Sequence, residues 1–174
     1  MPFGTVQVDT LTTDNRSLSV DNISAITGAT FTGDVSTTEA LSVERVKEKV
    51  RVITGTPPSQ LDIDVKFSSV VFYTDDAGAN STVNIRGDAN TTLDSLMDVG
   101  QSLTIAVVLT YGATAYYTSA LQIDGLTNNR TVKYVGGAPA GAASVNSLCA
   151  STYTVIKTNS NTFTVLVSKS EFVS

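Results

Sequence analysis

The residues that could do chemistry are few and scattered. Asp62 and Asp64 lie two apart in Leu61-Asp-Ile-Asp-Val-Lys-Phe67, and a carboxylate pair is what glycosidases use on either side of a sugar bond. At that spacing on a strand, however, both side chains share one face, which reads as an ordinary solvated strand face. Asp75, Asp76 and Asn80, with Asp88 and Asn90 further on, offer the hard oxygens that Ca2+ prefers. Their spacing matches no EF-hand loop, and Asp and Asn are everyday turn formers. Arg86-Gly87-Asp88 spells the tripeptide that animal integrins read, and equally a strand end followed by a turn at Gly87. The stretch from Gly136 to Ala143 lacks the Lys-Ser and strand-to-helix setting of a phosphate cradle. Tyr116 and Tyr117 are adjacent, so on a strand one faces the core and the other is free to stack on a sugar ring. Cys149 reads as a small buried apolar group.

Composition narrows the chemistry further. Histidine is absent and cysteine occurs once in 174 residues, which removes imidazole triads, His zinc sites, thiolate cages and internal disulfides. No metal or cofactor is expected, and an enzyme of this size would show at least one concentrated cluster of titratable groups. The net charge is -5 with only 16% charged residues, whereas nucleic-acid binders cluster Lys and Arg to displace counterions. Nucleic acid is therefore not an expected partner. Met-Pro-Phe-Gly-Thr lacks the basic start and apolar run of a signal peptide, and the apolar runs are too short to span a bilayer, so synthesis in a cytoplasm without membrane insertion is expected. On that expectation the sequons at Asn80, Asn90 and Asn129 carry little meaning.

The elements that must position these residues read mainly as strands. Thr, Ser, Asn, Val and Gly fill the place of charge, a composition that favours strands and turns. The stretch from Thr91 to Tyr111 is the centre of the reading. Thr91 or Thr92 caps a short helix with Asp94 in its first turn, Leu93, Leu96 and Met97 on one side, and Gly100 as its stop. Leu103 to Tyr111 then reads as a strand buried on both faces, and Val70 to Thr74 resembles it. Leu61, Ile63, Val65 and Phe67 alternate with Asp62, Asp64 and Lys66 as a half-buried strand. Further strands are expected over 82–86, 116–124 and 131–135, with a terminal hairpin of 151–157 and 162–168 around Asn159-Ser-Asn161. Thr37 to Val50 holds the highest charge density and reads as a short helix or coil to about Lys47, with a strand following that ends at Thr54-Gly-Thr-Pro-Pro58. With no alternating long helices, crossover α/β architecture is excluded.

The N-terminal arm is sparser. Val6, Val8, Leu11, Leu18, Val20 and Ile23 are spread among Thr, Asp, Asn and Ser, and a lone hairpin of that kind is marginal in water. Thr-Gly recurs at Thr27-Gly28 and Thr32-Gly33, as in a narrow turn-rich stalk. Met1 to Thr13, followed by Thr27-Gly-Ala-Thr-Phe-Thr-Gly-Asp-Val35, resembles the opening of fibre-type structural proteins of tailed bacteriophages, particularly those of marine cyanobacteria. From about Val46 the chain is similar to a C-terminal domain of virion proteins in the same phages. The residues carrying that likeness are 70–74, 83–88, 93–102, 114–117, 122–124 and 153–158.

Residues and resemblance together set the expectations. The fold is all-β: a C-terminal β-sandwich, jelly-roll-like, with one short helix, after an extended β arm. Residues 1–45 form a virion-attachment and trimerisation arm with its linker, and 46–174 the sandwich. The resemblance implies an accessory virion structural protein, a short fibre, spike or decoration protein, located in the virion and acting by association. Its expected partners are two further copies in a homotrimer and other capsid or tail proteins, with a host surface glycan as the partner of an adhesin. The arm contacts are Phe3, Val6, Val8, Leu11, Leu18, Val20, Ile23 and Phe31. The alternatives are a host-recognition adhesin at a tail fibre tip and a small carbohydrate-cleaving enzyme.

Overall fold

A computed structural model describes residues 41–137, 141 and 143–173. The chain divides into two compact units, Met1–Glu44 and Arg45–Ser174. The arm contacts Phe3, Val6, Val8, Leu11, Leu18, Val20, Ile23 and Phe31 lie outside the described residues. Among its described residues the second unit holds nine strands and one short helix. They are β1 (Val50–Ile53), β2 (Gln60–Asp64), β3 (Val70–Asp76), β4 (Ser81–Arg86), α1 (Leu93–Leu96), β5 (Ser102–Tyr111), β6 (Thr118–Ile123), β7 (Arg130–Tyr134), β8 (Ser147–Asn159) and β9 (Thr162–Val173).

The strands form a six-stranded sheet in the order β1-β3-β5-β8-β9-β7 and a three-stranded sheet in the order β2-β4-β6. Alternation decides which side chains enter the core. Leu61 and Ile63 of β2, Val83 and Ile85 of β4, and Leu121 and Ile123 of β6 are buried from the smaller sheet. Val71 and Tyr73 of β3, Ile105, Val107, Leu109 and Tyr111 of β5, Tyr153 and Val155 of β8, and Phe163 and Val165 of β9 are buried from the larger one. All of these residues belong to one hydrophobic cluster, so the two sheets share a core.

The pairing is the feature that alternation did not reveal. β1, β3 and β5 run parallel, as do β2, β4 and β6, and β7 runs parallel to β9. Only β5 with β8 and β8 with β9 are antiparallel. Jelly rolls are built from antiparallel neighbours, so the jelly-roll expectation describes the pairing of β5, β8 and β9 and not that of the other strands. Parallel neighbours need a crossover connection, which α/β proteins supply with a helix. Here the intervening strand does it: β2 lies between β1 and β3 in the chain, β4 between β3 and β5, and each belongs to the opposite sheet. Parallel strands are thereby obtained without long helices.

Some local expectations are corrected and others hold. β5 is buried on one face only, because Ala106, Val108 and Thr110 are partly exposed while Ile105, Val107, Leu109 and Tyr111 are inside. Phe67 leaves the strand face of Leu61 and Ile63: the chain turns after Asp64, with Phe67 N donating to Asp64 O at 3.0 Å, and Phe67 is 64% exposed. Of the two alternatives for the charged segment, the coil holds over residues 41–49, and β1 follows it as expected. β8 begins at Ser147, earlier than its sequence suggests, because Ser147, Ala150 and Ser151 lack the β-branched or aromatic side chains that mark a strand and are held by full pairing to β5. The terminal hairpin turns at Ser160-Asn161, where Asn161 has φ 45°, a conformation Asn tolerates.

Candidate functional site

The carboxylates are best understood through the bonds they already make. On the outer face of the smaller sheet Asp62 pairs in register with Asn84, and Asp64 with Arg86. Arg86 Nε donates to Asp64 Oδ1 at 2.7 Å while its Nη1 lies 3.1 Å from Asp62 Oδ2. The hydrogen bond that Arg86 donates to Asp64 raises the Arg86 pKa, which fixes its charge. Asn84 is 3% exposed, donates to Asp62 Oδ1 at 2.8 Å and accepts from Gly125 N at 2.8 Å. The pair therefore faces a cation and an amide on its own sheet. A glycosidase needs carboxylates set across a substrate groove, one of them with a raised pKa.

At the end of the sheets α1 is held from both directions. Thr92 Oγ1 accepts from Ser95 N at 3.1 Å, as the sequence predicts for a cap. Asp124, in left-handed backbone at φ 53°, adds a second acceptor: its carboxylate receives Leu93 N at 2.7 Å and Asp94 N at 3.2 Å. Burial pushes the Asp124 carboxyl above its ordinary value, and the two N–H donors oppose that shift. Lys157 of β8 reaches the other end, donating to Asp94 O at 2.6 Å and Met97 O at 2.9 Å and pairing with Asp94 Oδ1 at 2.7 Å. Its ammonium holds the Asp94 carboxyl below the usual carboxylate range, aided by Asn161 N. Leu93 and Met97 are thereby pressed into the core.

The remaining sequence candidates are also engaged. Asp88 pairs with Lys66 at 2.6 Å and accepts from Asn90 N at 2.8 Å, and the Lys66 bond holds its carboxyl down at about 2. In Arg86-Gly87-Asp88 both charges are thus tied to Asp64 and Lys66. Gly87 is dictated by close approach, since a Cβ there would sit 2.6 Å from Thr91 O. Asn80 Oδ1 accepts from Tyr117 N at 3.1 Å and Asp75 Oδ1 from Thr74 Oγ1 at 3.3 Å, while Asp76 packs against Gly112. A groove lined by Gln60, Asn84, Arg86, Asp88, Asn90 and Asp124 passes over this region. Among the described residues, no three His, Cys, Asp or Glu side chains are grouped to hold a metal.

A second concavity was not legible in the sequence. It is a narrow cavity of ≈ 50 Å³ beside β6 and β7, floored by Tyr111, Cys149, Ser151 and Tyr153 and walled by Tyr117 and Tyr134. That volume holds only a few waters. Burial raises the Tyr111 phenol and the Cys149 thiol and pushes Tyr153 up to about 12, so all three are neutral at pH 7. A buried neutral thiol is a poor nucleophile. Tyr116 packs on the core and Tyr117 lines the cavity, which divides the adjacent pair. Tyr111, Tyr134 and Tyr153 meet only through folding. Nor did Lys157 or Asp124 announce itself, because a lone Lys or Asp beside a turn carries no pattern. Compared with known proteins, the chain matches no family model, no curated protein and no solved structure.

Proposed function

We propose that this chain is an accessory structural protein of a tailed-phage virion, a short fibre, spike or decoration protein that acts by association and without catalysis. Two lines support the reading. One is the resemblance carried by residues 1–13, 27–35 and the segments after Val46. The other, which carries most weight, is the division of labour within the second unit. The candidate carboxylates Asp62, Asp64, Asp88, Asp94 and Asp124 are bonded to groups of the same chain, while β1 ends the larger sheet with Val50 and Val52 exposed. Bonded charges and an open apolar edge suit a contact surface better than a reaction centre. In this reading the two sheets are the layers of a β-sandwich that projects outward, and the arm of residues 1–45 attaches it to capsid or tail proteins and joins three copies.

Crosslinking of the purified full chain tests the oligomer: trimers are expected, and a clean monomer at all concentrations defeats self-association. Locating the chain in an intact particle tests the rest, with copy number and neighbours separating a decoration from a tail component. The adhesin reading needs a sugar-sized surface of exposed rings, which the tyrosine-walled cavity of ≈ 50 Å³ does not supply. Loss of host adsorption in particles lacking the protein would favour it. The depolymerase reading requires that Asp62→Asn or Asp88→Asn abolish polysaccharide cleavage.

A further inference from the structure

One local motif occurs three times in the chain, and the fold treats each copy differently. Asn is followed by Ser at Asn80-Ser81, Asn146-Ser147 and Asn159-Ser160. A short residue after Asn leaves the next backbone nitrogen room to approach the side-chain amide and attack its carbon. At the first copy the groups are engaged elsewhere: Asn80 Oδ1 accepts from Tyr117 N at 3.1 Å, Ser81 N donates to Tyr117 O at 3.1 Å, and Ser81 is buried. At the second, Ser147 is buried and starts the β8 ladder opposite Tyr111. The third copy stands in the turn between β8 and β9, where Asn159 and Ser160 are both exposed. Ser160 lies outside the ladder, which closes with Asn159 opposite Thr162 and is irregular between Lys157 and Asn159. Ser160 N donates to Asn159 Oδ1 at 2.8 Å. With Oδ1 ~1.2 Å from Cγ, the amide carbon is no more than ~4 Å from that nitrogen, close to the ~3–3.5 Å of a reacting pair.

We propose that Asn159 is a site of spontaneous modification, converted to aspartate and its isoaspartyl isomer while Asn80 and Asn146 stay intact. Ser160 N gives its proton to solvent base and bonds to Asn159 Cγ. The Cγ–Nδ2 bond breaks and Nδ2 leaves as ammonia, closing a five-membered imide. Water then adds across one of the two imide C–N bonds. Opening at Cγ restores the main chain and leaves an aspartate; opening at the main-chain carbonyl carbon routes the chain through Cγ and adds one backbone atom. The sum is one water in and one ammonia out, with no oxidant or reductant. Solvent supplies both the base and the water, so exposure decides among the three copies. The turn is also tied to α1, because Asn161 N donates to Asp94 Oδ1 at 2.6 Å and Lys157 Nζ pairs with the same oxygen at 2.7 Å. A longer main chain and a new carboxylate between Lys157 and Asn161 loosen that hold on Asp94.

Peptide mapping by mass spectrometry of the full chain, incubated in mildly alkaline buffer with and without denaturant, tests the assignment. In the folded chain a gain of about 1 Da should build up at Asn159 about 5-fold or more faster than at Asn80 or Asn146. In denaturant the three rates should converge, because Ser follows each Asn and only the fold tells them apart. Aspartate and its isomer, separated by elution, should both appear at Asn159, since direct hydrolysis of the side chain gives aspartate alone. No gain at Asn159 in the folded chain, or a gain there no faster than at Asn80 or Asn146, overturns the assignment. Aspartate without its isomer overturns the imide route. The modified chain, isolated by anion exchange through its extra negative charge, should melt at a lower temperature than the unmodified one; equal melting overturns the loosening at Asp94.

Discussion

The two sheets present opposite chemistries to the outside. On the three-stranded sheet, Asp62, Asp64, Asn84 and Arg86 form a lattice of charge-assisted bonds. The corresponding face of the six-stranded sheet offers valines, Phe72 and self-paired threonines. Both are exterior strand faces with the same alternation. Solvated carboxylates are self-sufficient with a local cation, whereas an apolar face lowers its free energy further only by being covered. The first kind of surface stabilises the monomer and the second is suited to association.

On this contrast, replacing the bonded polar groups should cost folding stability and a polar substitution on the apolar face should not. The largest loss is expected at a bonded charge inside the larger sheet, Lys157 of β8, whose ammonium satisfies the α1 carbonyls and Asp94: Lys157→Met should cost about 3 kcal/mol in chemical denaturation, as for a broken, mostly buried pair. Next, Asn84→Ala removes a buried amide that bridges Asp62 and Gly125, for a loss of about 2 kcal/mol. Arg86→Met leaves Asp62 and Asp64 facing each other, at about 1 kcal/mol because the cluster is partly solvated. Val108→Thr, by contrast, should stay within about 0.5 kcal/mol of wild type by the same assay. A loss there as large as that at Asn84 would dissolve the distinction between the faces.

Acid offers a finer test. The Asp88 and Asp94 carboxyls are depressed by Lys66 and Lys157, so their stabilisation is complete above the ordinary aspartate value of 3.8 and is lost as pH falls, through about 2 for Asp88. Asp124 has the opposite sign, since burial raises its carboxyl and protonation relieves it. The melting temperature should therefore fall between pH 4 and pH 2, and Asp88→Asn should flatten that fall. The smallest effect concerns Cys149, which is 3% exposed. Its modification by a thiol reagent should proceed only as the sheets open, on the time scale of unfolding and not of seconds.

Much of this architecture is readable residue by residue. Alternation in Leu61-Asp-Ile-Asp located β2 and its inner face, Thr92 and Leu93 located α1, and Asn159-Ser-Asn161 located the last turn. These signals are local, because a strand's two faces, a helix cap and a turn are each specified within a few residues. Phe67 marks the limit, since the alternating pattern continues past the point where the chain turns after Asp64. The candidate sites were less legible, because Asp62 and Asp64 look alike with or without Arg86 between them, and Arg86 lies 22 residues from its hydrogen-bonded partner Asp64.

The sequence by itself determined that the chain builds strands, where most of them lie and which side of each is apolar. Whether neighbours run parallel or antiparallel was decided only in three dimensions, because both pairings use the same period of two and differ in the path taken between strands. The burial of Lys157 was likewise a tertiary outcome: its ammonium can be covered only where the carbonyls of Asp94 and Met97, 63 and 60 residues away, are brought to meet it.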